Sequence, residues 1–354
     1  MAAALLAVAP GPLAAQMKPA AAPLAPQAIE VRARPIRDFS KSGAPFVNKR
    51  LAWRGGLVLS SPSAHFGGWS GLALGKEGRS LLAVSDAGLW MRAELAYDSE
   101  GRPEAVRAAR IGGLRTRAGG PLTRLRDRDA EALALASGTP TNGTAYIAFE
   151  QHDRIGVFPL TKEGVGPPTS YLTMPSEARR MRMDGIEALT VLAGGPGQGA
   201  LVAFAENPLK GESRHRGWIW RAGTPRGFTV AGIGGFSVTD AASLDDGSVL
   251  LLERRFRWLE GLRIRLRHVP AGSFVPGATV TGDVILEADT AQEIDNLECL
   301  AVSRSASGET VITLISDDNF NRFLQRTVLL QFTLADEKTA RATKGAAPKE
   351  KRKK

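Results

Sequence analysis

The 354-residue chain contains one cysteine and four scattered histidines. A single cysteine excludes an intramolecular disulfide framework and any cysteine-rich zinc or iron–sulfur site. The histidines have no partner at close helical spacing, so a histidine-based metal site is not expected. Aromatic residues make up only 6% of the chain, and it has no run of 18 or more apolar residues, which excludes a polytopic membrane protein. Any bound metal would therefore need oxygen ligands.

The net charge of +10 is concentrated near the C-terminus. Residues 338–354 hold eight Lys or Arg against Glu350 alone, a charge of +7, which leaves +3 (10 − 7) for the rest. A segment with this charge and no apolar periodicity is predicted to be disordered, so we assign 336–354 as a basic tail. The globular part is close to neutral, and we expect no specific nucleic-acid binding.

The N-terminal segment has the pattern of a processing signal. Residues 2–15 are a short apolar stretch that ends in Leu13-Ala14-Ala15, a small-residue pattern suited to signal-peptidase cleavage, although no basic region precedes it. The alternative is a disordered Ala/Pro-rich leader. We therefore assign residues 1–27 as a signal peptide or leader, residues 28–335 as the folded domain, and the location as periplasmic or secreted.

A short pattern recurs along the folded domain. An acidic residue followed by small or apolar residues begins each copy at Glu131, Glu187, Asp240 and Glu298, with the Ser70 hydroxyl in the same place of an earlier copy. A turn and an apolar strand ending in an acid follow each copy, and three of the copies have the second acid 19 residues after the first. The acids that end these strands are Asp86, Glu150, Glu206, Glu253 and Asp317.

Four short strands in each unit of about 55 residues indicate an all-β protein with the blades of a β-propeller. Five units are visible, and residues 29–49 leave room for part of a sixth, so we predict five or six four-stranded blades. The last unit lacks a fourth strand. We expect the spare strand within residues 50–61 to complete that blade and close the ring.

Propeller geometry predicts that these acids meet at one end of the central channel. If the first strand of each unit is innermost, the acids that begin it and the acids that end the second strand face the same mouth. So many anions need a cation among them, because like charges repel and raise one another's pKa values. Neighbouring arginines or a hard metal such as Ca²⁺ would serve, with Mg²⁺ or Mn²⁺ also accepting oxygen ligands. The predicted metal ligands are Glu131, Glu187, Glu298, Asp317, Glu206, Glu253, Glu150 and Asp86.

Several segments share the pattern of one known family. They are Phe66–Leu72, Leu82–Asp86, Asp184–Leu189, Glu253–Arg254, Asn296–Leu300, Ile315–Phe320, Gln325–Thr327 and Leu329–Leu330. The chain is similar to the "esterase-like activity of phytase" family over roughly residues 50–334. The resemblance implies a β-propeller, export, and an ester or phosphoester hydrolase related to calcium-dependent propeller phytases. Family members often carry an acid where this chain has Ser70.

The first functional hypothesis is a metal-dependent hydrolase of a small anionic ester, acting as a monomer. In it, Glu187 and Glu298 hold the metal at the catalytic centre, Arg254 and Arg154 bind anionic oxygens, and His152 or a spare carboxylate accepts the proton of water.

Two other readings stay open. A non-enzymatic binding or interaction propeller would use the acids and arginines as a structural ion network. A lactonase-type propeller would use one Ca²⁺ with carboxylate and Asn ligands, for which Asn207 and Asn319 are candidates. Ser70 is not expected to be a nucleophile, because the sequence around it breaks the Gly-x-Ser-x-Gly pattern. Cys299 lies in an apolar run and is predicted to be a core residue.

Overall fold

The computed structural model describes residues 25–151, 154–175, 185–208, 211–221 and 223–335. Within this part, the chain forms five sheets of four or five strands, joined by turns and one four-residue helix, α1 (Leu125–Arg128). No helix of these residues is long and apolar enough to cross a bilayer. The architecture is a five-bladed β-propeller, so the all-β prediction is confirmed.

The first two blades are antiparallel meanders that run outward from the channel. The innermost strand of the first blade is buried along its whole length, and that of the second blade is buried near its N-terminal end, where apolar residues cover both faces. The first blade consists of β4 (Trp69–Leu74), β5 (Ser80–Ser85), β6 (Leu89–Tyr97) and β7 (Pro103–Gly113), with β1 (Gln27–Ala28) on its outer edge. The second consists of β8 (Ala130–Thr139), β9 (Asn142–Phe149), β10 (Arg154–Thr161) and β11 (Gly164–Val165), and β12 (Ser170–Tyr171) also pairs with β10.

The third and fourth blades are linked by an exchanged strand. A short strand from the chain segment of the fourth blade pairs in parallel with the outer edge of the third. The third blade consists of β13 (Ile186–Val191), β14 (Leu201–Pro208), β15 (Arg214–Arg221), β16 (Thr224–Ala231) and the exchanged β20 (Thr279–Val280). The fourth consists of β17 (Ser237–Ser243), β18 (Val249–Arg257), β19 (Gly261–Val269) and β21 (Asp283–Asp289).

The fifth blade combines the two ends of the folded domain. Three strands come from the C-terminal side: β22 (Leu297–Arg304), β23 (Thr310–Ser316) and β24 (Thr327–Leu334). From the N-terminal side, β3 (Leu51–Ser60) pairs antiparallel with β24, and β2 (Arg32–Ile36) adds outside β3. This confirms closure by the N-terminal strand. There is no sixth blade among the described residues, because β2 extends the fifth.

The five innermost strands β4, β8, β13, β17 and β22 contact one another around the axis and line the channel. The core lies between adjacent blades, where apolar faces pack in five clusters of buried residues. Cys299 is buried in one of them, as predicted. The predicted leader and basic tail fall almost entirely outside the described residues, and both remain predictions.

Candidate functional site

Each innermost strand has a β-bulge near its N-terminal end. At this point one residue has no direct partner on the second strand of its blade, which turns its side chain away from the regular alternation. We call these five residues the bulge ring, and we call the end of the channel where they lie the mouth. The bulge ring consists of Ser70, Glu131, Glu187, Thr239 and Glu298.

A second set of five residues lies at the same end of the channel, each in or directly after the second strand of its blade. In four blades the backbone N–H of this residue donates to the carbonyl of the residue two positions before the bulge. In the fourth blade, the equivalent position pairs with Ser237, also two residues before the bulge. We call this set the exit ring. It consists of Asp86, Glu150, Glu206, Arg254 and Asp317.

This register corrects the prediction for Asp240. The bulge of the fourth blade falls on Thr239, one residue earlier, and a shift of one residue turns a strand side chain to the opposite face. Asp240 is fully buried between blades, where its carboxylate accepts hydrogen bonds from the backbone N–H groups of Ala241 at 2.8 Å and Leu300 at 2.6 Å. It therefore bridges the fourth and fifth blades instead of facing the mouth.

The same shift corrects the prediction that Glu253 is a metal ligand. Arg254, one residue later, occupies the exit ring of the fourth blade. Glu253 is buried and forms a hydrogen-bonded ion pair with Arg267, with Arg265 Nη1 3.9 Å from its second oxygen. Burial raises the pKa of Glu253, and the two arginines oppose that shift. Its carboxylate thus belongs to an ion network of the fourth blade.

The two rings together contain seven carboxylates and one guanidinium. Burial raises the pKa values of Glu131, Glu187 and Asp317 well above their ordinary range, and repulsion from neighbouring carboxylates adds to this shift. The repelling neighbours include Glu187 for Glu131, Glu206 for Glu187, and Glu298 for Asp317. The structure therefore brings together the predicted residues Asp86, Glu131, Glu150, Glu187, Glu206, Glu298 and Asp317, with Glu253 the exception.

Arg254 supplies the positive charge within this cluster of carboxylates. Its guanidinium lies 3.3 Å from Glu298 and 3.6 Å from Glu206, and it donates a hydrogen bond to the side-chain oxygen of Asn296. Asn296 Nδ2 in turn donates to Glu298 at 2.8 Å. Burial raises the pKa of Glu298, while Arg254 opposes the increase. Arg254 thus neutralises charge on the third and fifth blades.

The second blade concentrates carboxylates on the other side of the mouth. Asp129, Glu131 and Glu150 each place an oxygen within 4.8 Å of the others, close enough to share a metal ion. Sequence reasoning missed Asp129. The signal was a second acid two residues before Glu131 in the sequence Asp129-Ala130-Glu131.

A glycine makes room for this group of acids. A Cβ on Gly185 would lie 2.9 Å from the Cα of Glu150 and closer still to its Cγ. Only glycine therefore lets the third blade approach Glu150 in this way.

Two further predicted residues are not part of the rings. The guanidinium of Arg154 lies 3.9 Å from the centroid of the Phe149 ring and donates to the backbone carbonyl of Asp127. His152 lies outside the described residues, so its predicted role remains a prediction.

The comparison with family models decides what kind of propeller this is. The model named Phytase-like, described as "Esterase-like activity of phytase", matches residues 64–320. The chain belongs to the Phytase-like family. The match includes every position of the bulge ring and the exit ring. The description of this family suggests an esterase or hydrolase type of function.

Other comparisons add little. Among solved structures, the β-propeller domain of Cps50 (Swd1) from Myceliophteria thermophila is similar to the chain with 10% identity and a TM-score of 0.38. The alignment covers 85% of this chain and 99% of that domain. A similarity at this level carries no argument about function. No curated protein matches the chain.

Proposed function

We propose that this Phytase-like propeller is an exported, metal-dependent hydrolase of phosphate esters or related esters, acting as a monomer on a small anionic substrate. The observation that carries the proposal is the composition of the two rings, in which seven carboxylates face one arginine. The family description supports ester hydrolysis.

The residues at the mouth fit a hard divalent cation. Their donor atoms are carboxylate oxygens, and a bound cation would offset the burial and the mutual repulsion that raise the pKa values of Glu131, Glu187 and Asp317. Asp129, Glu131 and Glu150 would hold the ion, with Glu187 beside them. We propose Ca²⁺, while Mg²⁺ and Mn²⁺ accept the same donors. A bound divalent cation supplies charge that polarises a phosphoryl or acyl oxygen and acidifies a bound water.

Arg254 is the residue best placed to bind an anionic substrate. Its guanidinium can donate to two oxygens of a phosphate or carboxylate, and Glu206, Glu298 and Asn296 fix its orientation. An incoming anion would compete with these carboxylates for Arg254, which favours substrates that carry negative charge near the scissile ester.

Glu187 and Glu298 are suited to moving a proton. A carboxyl group exchanges protons most effectively when its pKa approaches the working pH, and both pKa values are raised by burial. The pKa of Glu187 is raised further than that of Glu298, because burial and repulsion from three carboxylates both raise it, whereas Arg254 holds down the pKa of Glu298. We assign Glu187 as the group that accepts the proton of the attacking water and Glu298 as the residue that positions Arg254.

The test combines metal binding with turnover in the full-length protein. The wild type should bind Ca²⁺, melt at a higher temperature in its presence, and hydrolyse a generic phosphomonoester or a short-chain aryl ester until a chelator is added. The variant Glu131→Gln should lose both properties. The variant Glu187→Gln should lose turnover and bind Ca²⁺ more weakly than the wild type. The control Glu309→Gln, at an exposed ion pair with Arg54, should keep both.

Two outcomes would count against the hydrolase. Stabilisation by Ca²⁺ without turnover of any ester would favour a binding propeller. Absence of both metal binding and turnover would leave the two rings as an ion network centred on Arg254. Turnover of lactones alone would instead identify the lactonase-type alternative.

A further inference from the structure

The hairpin between β18 and β19 carries apolar side chains into solvent. Phe256 is largely exposed, and the turn residues Trp258 and Leu259 are 88% and 95% exposed. The tryptophan and the leucine at the tip of this hairpin contribute no hydrophobic stabilisation to the fold, because neither side chain is buried. Such exposure indicates a contact outside the chain.

This hairpin projects from the mouth. Arg254 belongs to the exit ring, and β18 continues beyond it to Arg257 before the chain turns. Strands rise by about 3.3 Å per residue, so Trp258 lies about 13 Å beyond Arg254 along the strand direction. The hairpin therefore extends past the carboxylate rings on the side from which a ligand would enter.

The neighbouring blade has a second apolar projection at the same end. Phe323 and Leu324 are 94% and 73% exposed, and they lie in the loop that follows Asp317 of the exit ring. We call Phe256, Trp258, Leu259, Phe323 and Leu324 together the apolar tips. They come from two separate loops on adjacent blades.

Arginines flank the apolar tips. Arg255 and Arg257 share the single carboxylate of Glu260, at 2.5 and 2.8 Å, while Arg263 pairs with Glu287 at 3.6 Å. At the second tip, Arg322 donates to the backbone carbonyls of Ser61, Ser63 and Phe66, none of which neutralises its charge. The rim beside the apolar tips is therefore positively charged, in contrast to the carboxylates inside the mouth.

We propose that the apolar tips dock the mouth of the propeller onto an anionic lipid surface. Aromatic and aliphatic side chains flanked by arginines are the composition that partitions into the interface of a bilayer, where anionic headgroups attract the basic residues. Two separate convex projections at one end fit a broad, soft surface better than a groove in a protein partner. The inference concerns binding and does not depend on the proposed hydrolase activity.

The test measures vesicle binding by the full-length protein. Vesicles of phosphatidylcholine alone are compared with vesicles that also contain phosphatidylglycerol, using cosedimentation and the fluorescence of Trp258, isolated by difference from Trp258→Phe. The wild type should bind the anionic vesicles, with a blue shift of Trp258 emission. The double variants Trp258→Ser/Leu259→Ser and Phe323→Ser/Leu324→Ser should each lose about tenfold in affinity.

The matched control is Val47→Ser. Val47 is 90% exposed but precedes β3 at the end of the propeller opposite the mouth, so this variant should bind like the wild type. All variants keep the basic C-terminal residues, so binding through that segment alone would leave both double variants unaffected and would overturn the proposal. Failure of the wild type to bind anionic vesicles would also overturn the proposal. So would a dimeric wild type that becomes monomeric in Trp258→Ser/Leu259→Ser, because the apolar tips would then serve dimerisation.

Discussion

Arg254 of the fourth blade stands in the position that Glu206 holds in the third, and Nη2 of the arginine lies 3.6 Å from Oε1 of the glutamate. One blade thus supplies the charge that its neighbours lack. The arginine at this position makes the mouth asymmetric. It contacts acids of the third and fifth blades, whereas on the second blade Asp129, Glu131 and Glu150 lie close to one another. This asymmetry separates an arginine side, which we propose binds the anionic substrate, from a carboxylate side, which we propose holds the metal ion.

Replacing Arg254 with alanine should destabilise the metal-free protein. The change leaves Glu206 and Glu298 without their shared cation, and charged hydrogen bonds of partly buried groups contribute about 2 kcal/mol. Urea unfolding at neutral pH in the presence of a chelator measures the loss. The control Arg304→Ala removes an arginine that pairs with the exposed Asp245 and should cost less than about 1 kcal/mol. Equal losses would contradict the central role of Arg254.

Replacing Glu187 with glutamine should stabilise the metal-free protein near neutral pH. The folded pKa of Glu187 lies above its ordinary value of 4.5, so its ionised form destabilises the fold. That penalty is fully present above the folded pKa and fades as the pH falls toward 4.5. As the pH falls through this interval, the melting temperature of the metal-free wild type should therefore rise. The rise should be smaller in Glu187→Gln.

In the presence of Ca²⁺, the wild type should be more stable than Glu187→Gln, which is the reverse of the order expected without metal. The ion stabilises the wild type in proportion to its binding, whereas Glu187→Gln has lost a neighbouring carboxylate and should gain less. Thermal scans with and without Ca²⁺ measure both effects on the same samples. A variant less stable than the wild type in chelator would show that Glu187 contributes favourable contacts rather than repulsion.

Replacing Gly185 with alanine should displace Glu150. The new methyl group would overlap the Glu150 side chain, and crowding of this kind typically costs about 1–3 kcal/mol. The variant should also bind Ca²⁺ more weakly, because Glu150 is one of the three closely spaced acids of the second blade. Gly227 offers a control, since a Cβ there would meet no atom closer than 4.0 Å. Calorimetric titration of both variants would detect the difference.

Replacing Asp240 with alanine should lower stability without affecting metal binding. The backbone N–H groups of Ala241 and Leu300 would lose their acceptor in the buried space between blades, which costs about 1–3 kcal/mol. Because Asp240 does not face the mouth, the affinity for Ca²⁺ should equal that of the wild type. A weakened affinity together with unchanged stability would place Asp240 among the metal ligands and contradict the register described above.

The sequence was sufficient to predict the propeller, its closing strand and most of the acidic residues at the mouth. Acids 19 residues apart, such as Glu187 and Glu206, were recognisable because three blades have the same interval between the bulge residue and the exit-ring residue. The fourth blade has a shorter interval from Thr239 to Arg254. An alignment by acidic residues therefore selected Asp240 and Glu253, each one residue away from the true position.

The reason for this error is physical. A β-bulge changes the alternation of side chains by one residue, but it leaves no mark on composition or hydrophobic pattern. Only the pairing of the two strands shows that Val238 lies opposite Glu253 and Asp240 opposite Leu252. The sequence indicated that a neighbouring arginine could neutralise the acids. It could not give the partners of Arg254, because these residues lie on three different blades.

The composite fifth blade has a consequence for how the chain is made. Strand β3 leaves the ribosome before the strands of the first four blades, yet its partner β24 ends only at Leu334. Until then, β3 has an unpaired edge, and unpaired edges invite association with other chains. Ring assembly must therefore finish with this pair of strands. A chain that ends before Thr327 would lack β24, so its ring would stay open and the edge of β3 would stay unpaired. Interrupted synthesis should therefore yield aggregates instead of a smaller propeller.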